Sequence, residues 1–143
     1  MSKVAVIYWS GTGNTEKMAN AIFSRLKEKE VEADLIEAGA FSASDIENYN
    51  GFAFGCPAMG NEELEESEFE PMFESVENNL SNKATVIFGS YEWNDGGWMI
   101  DWQERCEDDN INLVSDGLKA YGEPTEEDIK ACYDLADSLI AKL

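Results

Sequence analysis

The chain has 143 residues, 43% of them apolar, and sets 30 acidic side chains against 10 basic ones for a formal net charge of −20. That length suits a single domain, here residues 1–143, burying roughly two-thirds of its unfolded surface, and the apolar share supplies a core despite the charge. So negative a field repels nucleic acid and anionic membranes, and the absence of histidine removes Ser-His-Asp catalysis and histidine–metal sites.

No apolar run reaches the roughly 18 residues a membrane helix needs, and the stretch after Lys3 is too brief for a signal segment. A cytoplasmic protein with no membrane contact is expected. Cys56, Cys106 and Cys132 are far apart with no C-x-x-C pair, which suits reduced core thiols better than disulfides, zinc or an iron–sulfur cluster.

Strand and helix patterns alternate along the whole chain. Val4 to Tyr8 is a continuous apolar run, the mark of a strand covered on both faces. A helix is predicted from about Thr15 to Lys29, with Met18, Ile22 and Leu26 on one stripe. Val31, Ala33 and Leu35 alternate with charged residues as a half-exposed edge strand does, and Ser44 to Tyr49 reads as a short helix. Phe52 to Cys56 is a buried strand ending at Pro57. An acidic loop and helix follow from Glu62 through Glu77, with Phe73, Val76 and Leu80 as core contacts. Ala84 to Phe88 is a further buried strand, stopping at Gly89 and Ser90. A helix beginning near Gly97 carries Trp98 and Trp102 on one side. Ile111–Val114 and Leu118–Tyr121 read as one strand broken by Ser115-Asp116-Gly117. Pro124, Thr125 and Asp128 open the last helix at capping-box spacing, and Ile129, Ala136, Leu139 and Ile140 form its buried face. Five strands alternating with helices imply a doubly wound α/β fold, whose ligands bind beyond the carboxyl ends of the strands.

Three segments emerge at that edge. The first, Trp9-Ser10-Gly11-Thr12-Gly13-Asn14-Thr15, joins a strand to a helix. Its glycines let backbone N–H groups converge on an anion, the helix N-terminus adds its dipole, and Ser10, Thr12, Asn14 and Thr15 add uncharged donors. A nucleotide P-loop would need Gly-Lys-Ser/Thr here, a dinucleotide fingerprint a third glycine at Glu16, and a cysteine phosphatase a thiolate. A capped turn holding no ligand is the bland alternative. The second segment is Cys56 to Glu62 and the third Ser90 to Gly97. Met59 and Trp93 are large, polarizable side chains placed in loops, suited to covering a flat ring or, on the bland view, to plugging the loops into the core.

With these loops in view the chain resembles the flavodoxins over essentially its whole length. Val6 to Ala19 matches their FMN-phosphate signature. Ala58-Met59-Gly60-Asn61-Glu62, Leu64 to Pro71, and Gly89-Ser90-Tyr91 with Trp93, Asp95, Gly96, Trp98 and Met99 look like the clostridial-type short-chain branch, as does the brief break in the fifth strand. The resemblance implies a five-stranded parallel sheet of order 2-1-3-4-5, an order for which flavodoxin is itself the standard example, with helices on both faces. It implies bound FMN, with Ser10, Gly11, Thr12, Gly13, Asn14 and Thr15 around the phosphate and Trp9 also in contact with the cofactor. Met59 would cover the inner flavin face and Trp93 the outer, Ala58 would also touch the cofactor, and Glu62 would accept from flavin N3–H. Ser90, Tyr91, Glu92, Asn94 and Gly97 would hold the pyrimidine side. The Gly60–Asn61 peptide would turn over on reduction so that the Gly60 carbonyl accepts from N5–H. Related sequences often have glycine where Glu92 stands and aspartate where Asn61 stands.

The function so implied is a low-potential one-electron carrier that is not an enzyme. It would shuttle between semiquinone and hydroquinone states as a monomer, docking on basic surfaces of ferredoxin- or flavodoxin-type reductases and oxidoreductases. The alternative is an FMN-dependent NAD(P)H reductase, which would need further segments for its second substrate. A receiver domain would need an acidic cluster after the first strand, where Ser-Gly-Thr-Gly stands instead.

Overall fold

The computed structural model describes residues 2–60, 62–93 and 95–143. In chain order the elements are β1 (Lys3–Tyr8), α1 (Asn14–Glu28), β2 (Glu32–Glu37), β3 (Gly51–Gly55), α2 (Phe69–Val76), β4 (Ala84–Tyr91), α3 (Gly97–Asp108), β5 (Leu118–Tyr121) and α4 (Glu126–Ile140). Short 3₁₀ turns occupy Ala38–Ala40, Ala43–Asn48 and Glu77–Asn79. The strands are parallel in the order β2-β1-β3-β4-β5, as the resemblance implied.

The pleat explains the two-sided core. Side chains alternate along a strand, so Val4, Val6 and Tyr8 of β1 pack with Met18, Ile22 and Leu26 of α1 and with Leu135, Ala136 and Leu139 of α4. Ala5 and Ile7 face the other way, against Phe69 and Phe73 of α2 and Trp98 and Trp102 of α3. Both faces being covered, the central strands carry no polar alternation, which is why β1 and β3 read as unbroken apolar runs. On the second face Trp102 meets Phe69 and Phe73 edge-on, at ring separations of 5.5 and 5.8 Å. Cys56, Cys106 and Cys132 are unpaired and buried, and burial pushes the Cys106 and Cys132 thiols up to about 12.

Two expectations change, at β4 and at Ile111–Val114, and one gains its boundary: of the acidic loop and helix expected from Glu62 through Glu77, the helix occupies Phe69–Val76. The buried Glu65 carboxylate accepts the backbone N–H groups of Ser67, Glu68 and Phe69 at 2.7, 2.8 and 2.9 Å, and so satisfies the donors that begin α2. Burial alone would raise the pKa of Glu65, yet these three donors hold it below the usual carboxylate range. Next, β4 runs on through Gly89, Ser90 and Tyr91, because these residues pair with Lys119, Ala120 and Tyr121 of β5. Finally, Ile111–Val114 is not a strand. Leu113 makes one isolated bridge to Thr85, and pairing resumes only at Leu118. The capping box of α4 is present with both of its bonds, Asp128 N–H to Thr125 Oγ1 and Thr125 N–H to the Asp128 carboxylate.

Candidate functional site

In the order β2-β1-β3-β4-β5 the chain leaves β1 to one side and returns to β3 on the other, which opens a crevice at the carboxyl ends of β1 and β3. Backbone bonds tie the three loops at this edge. Trp9 N–H donates to the Gly55 carbonyl at 3.0 Å, Cys56 N–H to Phe88 at 3.1 Å, and Ala58 N–H to Ser90 at 3.0 Å. The loops are thus continuations of the ladder rather than free excursions.

The loop after β1 closes on Ser10, whose Oγ accepts from Gly13 N–H at 3.1 Å and Glu16 N–H at 3.3 Å. Gly13 precedes α1 with φ of 99°, a left-handed conformation that a Cβ would strain. The Thr15 and Ser90 hydroxyls lie 2.8 Å apart in a buried pair that joins the first turn of α1 to the end of β4. Lys17, the nearest cation in sequence, is turned to Glu123 at 2.7 Å. An anion held here therefore meets hydroxyls, backbone N–H groups and the positive end of α1.

A cavity of about 180 Å³ opens between the loops. Trp9, Ser10, Gly11, Thr12 and Thr15 line it from the first loop, Ala58, Met59 and Gly60 from the second, and Ser90, Tyr91, Glu92 and Trp93 from the third. A larger hollow of about 400 Å³ lies beside α3, lined by Met99, Ile100, Gln103, Asp116 and Lys119 among others, but none of the three segments at the sheet edge lines it. Chemistry, not size, singles out the first. Trp93 stands 53% exposed on one loop and Met59 half-buried on another, so neither serves the core. Trp9 is fixed by its indole N–H, which donates to Glu68 at 3.2 Å.

Twelve of the sequence-predicted residues thus share one cavity wall. Four stand just outside it. Gly13 shapes the turn, and Asn14 opens α1 with its amide donating to Glu92 at 3.5 Å across the mouth. Gly97 begins α3, and Glu62 packs against it closely enough that a Cβ on Gly97 would stand 2.5 Å from Oε2. Asn61 and Asn94 lie outside the described residues. Pro57 also lines the cavity; in the sequence it signalled only the end of a strand.

Glu62 sits at φ of 59°, and its Oε1 is buried with no hydrogen-bond partner. An orphaned acceptor beside a slot flanked by Met59 and Trp93 fits a planar ligand that carries an N–H donor on its ring edge. With a phosphate site at one end and a ring slot at the other, the fold and this edge define a binder of a phosphorylated flat cofactor.

The comparisons are specific. The family model described as Flavodoxin matches residues 6–135. The chain is 41% identical to the flavodoxin of Clostridium beijerinckii over 121 residues, which cover 85% of this chain and 88% of that protein. It is 38% identical to the flavodoxin of Megasphaera elsdenii over 115 residues, covering 80% and 84% respectively. The solution structure of two-electron reduced Megasphaera elsdenii flavodoxin superposes with a TM-score of 0.85 at 35% identity, covering 96% of this chain and 98% of that one. The chain belongs to the flavodoxin family, as a short-chain member, and is an FMN-binding electron carrier rather than an enzyme. Among the described residues no helix is long and apolar enough to cross a membrane.

Proposed function

We propose that this protein works as a low-potential one-electron shuttle, a single domain over residues 1–143 acting as a monomer in the cytoplasm and docking on basic faces of reductases and oxidoreductases. The observation that carries the reading is a ring slot set beside a phosphate loop without cations, inside a chain of net charge −20.

Bound FMN supplies the redox centre, since its ring takes electrons singly. The protein's residues do the rest. Ser10, Gly11, Thr12, Gly13, Asn14 and Thr15 grip the phosphate with neutral donors, so nothing at that end offsets the surrounding negative charge. Met59 and Trp93 cover the ring faces and exclude water. Glu62 accepts from the imide N–H, Ser90 to Trp93 and Gly97 bound the pyrimidine side, and the carbonyl of Gly60 is available to the ring's central N–H. A carboxylate about 10 Å from the ring, at an effective ε of about 20, disfavours an added electron by roughly 1.7 kcal/mol, or about 70 mV. Screening by salt lowers that figure for exposed groups, but many carboxylates act together here. The same charge excess makes a basic partner surface the complementary one.

Stepwise reduction of the FMN-loaded protein with dithionite, followed by absorbance, tests the reading. Two resolved one-electron steps with a distinct absorbing species between them are expected. A single two-electron step, or rapid bleaching by NAD(P)H alone, would refute it.

A further inference from the structure

Among the described residues, two buried side-chain atoms lack any hydrogen-bond partner: the acceptor Glu62 Oε1 and the donor Trp102 Nε1. Native proteins leave few buried polar groups unpaired, so each such atom points to a partner. These two are not scattered. Glu62 and Trp102 line the same cavity of about 180 Å³, which lies behind the flavin loops against α3. Two of the neighbouring polar groups of that wall are already engaged. Arg105 is bidentate to Glu70 at 2.7 and 2.8 Å, and Trp98 Nε1 donates to the Cys56 carbonyl at 3.2 Å. The buried acceptor of Glu62 and the buried donor of Trp102 are thus left without partners in the wall of one small hollow.

Trp102 is 2% exposed and sits edge-on between Phe69 and Phe73, so its indole cannot turn to find another partner. Glu62 is confined too, since its other oxygen is pressed against Gly97. A water that accepts from the indole can donate to one lone pair of Glu62 Oε1 and leave the other for the ring's imide N–H, and the hollow is large enough to hold one.

We infer that Trp102 is a positioning residue for Glu62, holding its carboxylate from behind through one bridging water so that it is charged and aimed when the ring's imide N–H arrives. This rests on the reading that Glu62 meets that imide. The indole touches neither ring nor phosphate. Its effect reaches the cofactor only through Glu62.

Two measurements on the FMN-loaded protein test the link. With indole ¹⁵N labelling, the Trp102 Hε1 resonance (assigned by its loss in Trp102→Phe) should move in Glu62→Gln, because a neutral amide is a weaker acceptor than a carboxylate. Second, Trp102→Phe keeps an aromatic ring and removes the N–H. It should weaken FMN and riboflavin binding alike, by about fivefold in the parent protein and about twofold or less in the Glu62→Gln background. An unmoved indole resonance, or an equal loss in both backgrounds, overturns the link. A moved resonance with unchanged FMN affinity in Glu62→Gln overturns the imide contact instead, and leaves Trp102 a packing residue only.

Discussion

Glu92 stands at the rim of the phosphate end, and replacing it with glutamine isolates what its charge does there. Its carboxylate accepts from the Asn14 amide at 3.5 Å, reaching from the loop after β4 to the first residue of α1. A phosphate gripped by the same loop lies one further hydrogen-bond length along, roughly 7 Å from the carboxylate. At an effective ε of about 20 one such charge pair repels by about 2.4 kcal/mol, and salt screening over a Debye length near 8 Å reduces this to about 1 kcal/mol. Glu92→Gln should therefore tighten FMN about fivefold, and by up to about 30-fold for a full dianion. The exposure of Glu92 favours the lower figure. Riboflavin has no phosphate and should bind both proteins equally. Quenching of flavin fluorescence in apoprotein titrations reads both affinities, and at about 1 M salt the FMN difference should collapse. If riboflavin tightens as much as FMN, or the FMN gain survives high salt, the electrostatic argument is wrong.

Three other outcomes follow from the geometry. A Cβ on Gly60 would meet nothing within 4 Å, so Gly60→Ala should leave affinity for oxidised FMN within about twofold. Losing glycine's conformational freedom should nevertheless lower the first reduction potential by about 40 mV, and an unchanged potential would remove the peptide-turn mechanism. Arg105 bridges Glu70 and Glu77 and lies over the Phe73 ring at 5.0 Å. Because the group is only partly buried, Arg105→Ala should cost about 2 kcal/mol, less than for a fully buried network; a loss under about 0.5 kcal/mol in urea melts would contradict this. Asp109 hydrogen-bonds Glu77, which Arg105 keeps ionised, and its pKa is pushed up to about 6. A carboxyl raised on folding stabilises fully below its unfolded value near 4 and loses that contribution as pH climbs through 6. Asp109→Asn should thus raise the melting temperature at pH 7.5 by about 1–3 °C, with the gain absent at pH 4, and a gain that persists at pH 4 would reverse the sign.

Much of the site could be read before folding because its chemistry is local. Ser10 to Thr15 form a strand–turn–helix anion loop whose parts lie within a few residues, and the Thr125–Asp128 cap is equally short-ranged. Met59 and Trp93 stood out because large apolar residues had no reason to sit in loops. Contacts that span the chain left no such trace. The cap on α2 comes from Glu65, one carboxylate in a run of acidic residues that otherwise face solvent, so the point where the acidic loop gives way to helix is not legible in the sequence.

Amino-acid order alone therefore determined the alternation of strands and helices, the apolar runs of the doubly covered strands, and the neutral anion loop, since each depends on neighbours a few bonds away. Tertiary structure decided how far β4 runs, because Gly89 to Tyr91 become strand only when Lys119 to Tyr121 arrive to accept their pairing. It also decided which of thirty acidic side chains would lose their water. Glu62 and Trp102 line one hollow because the sheet brings the loop after β3 against α3, and burial depends on what packs from afar.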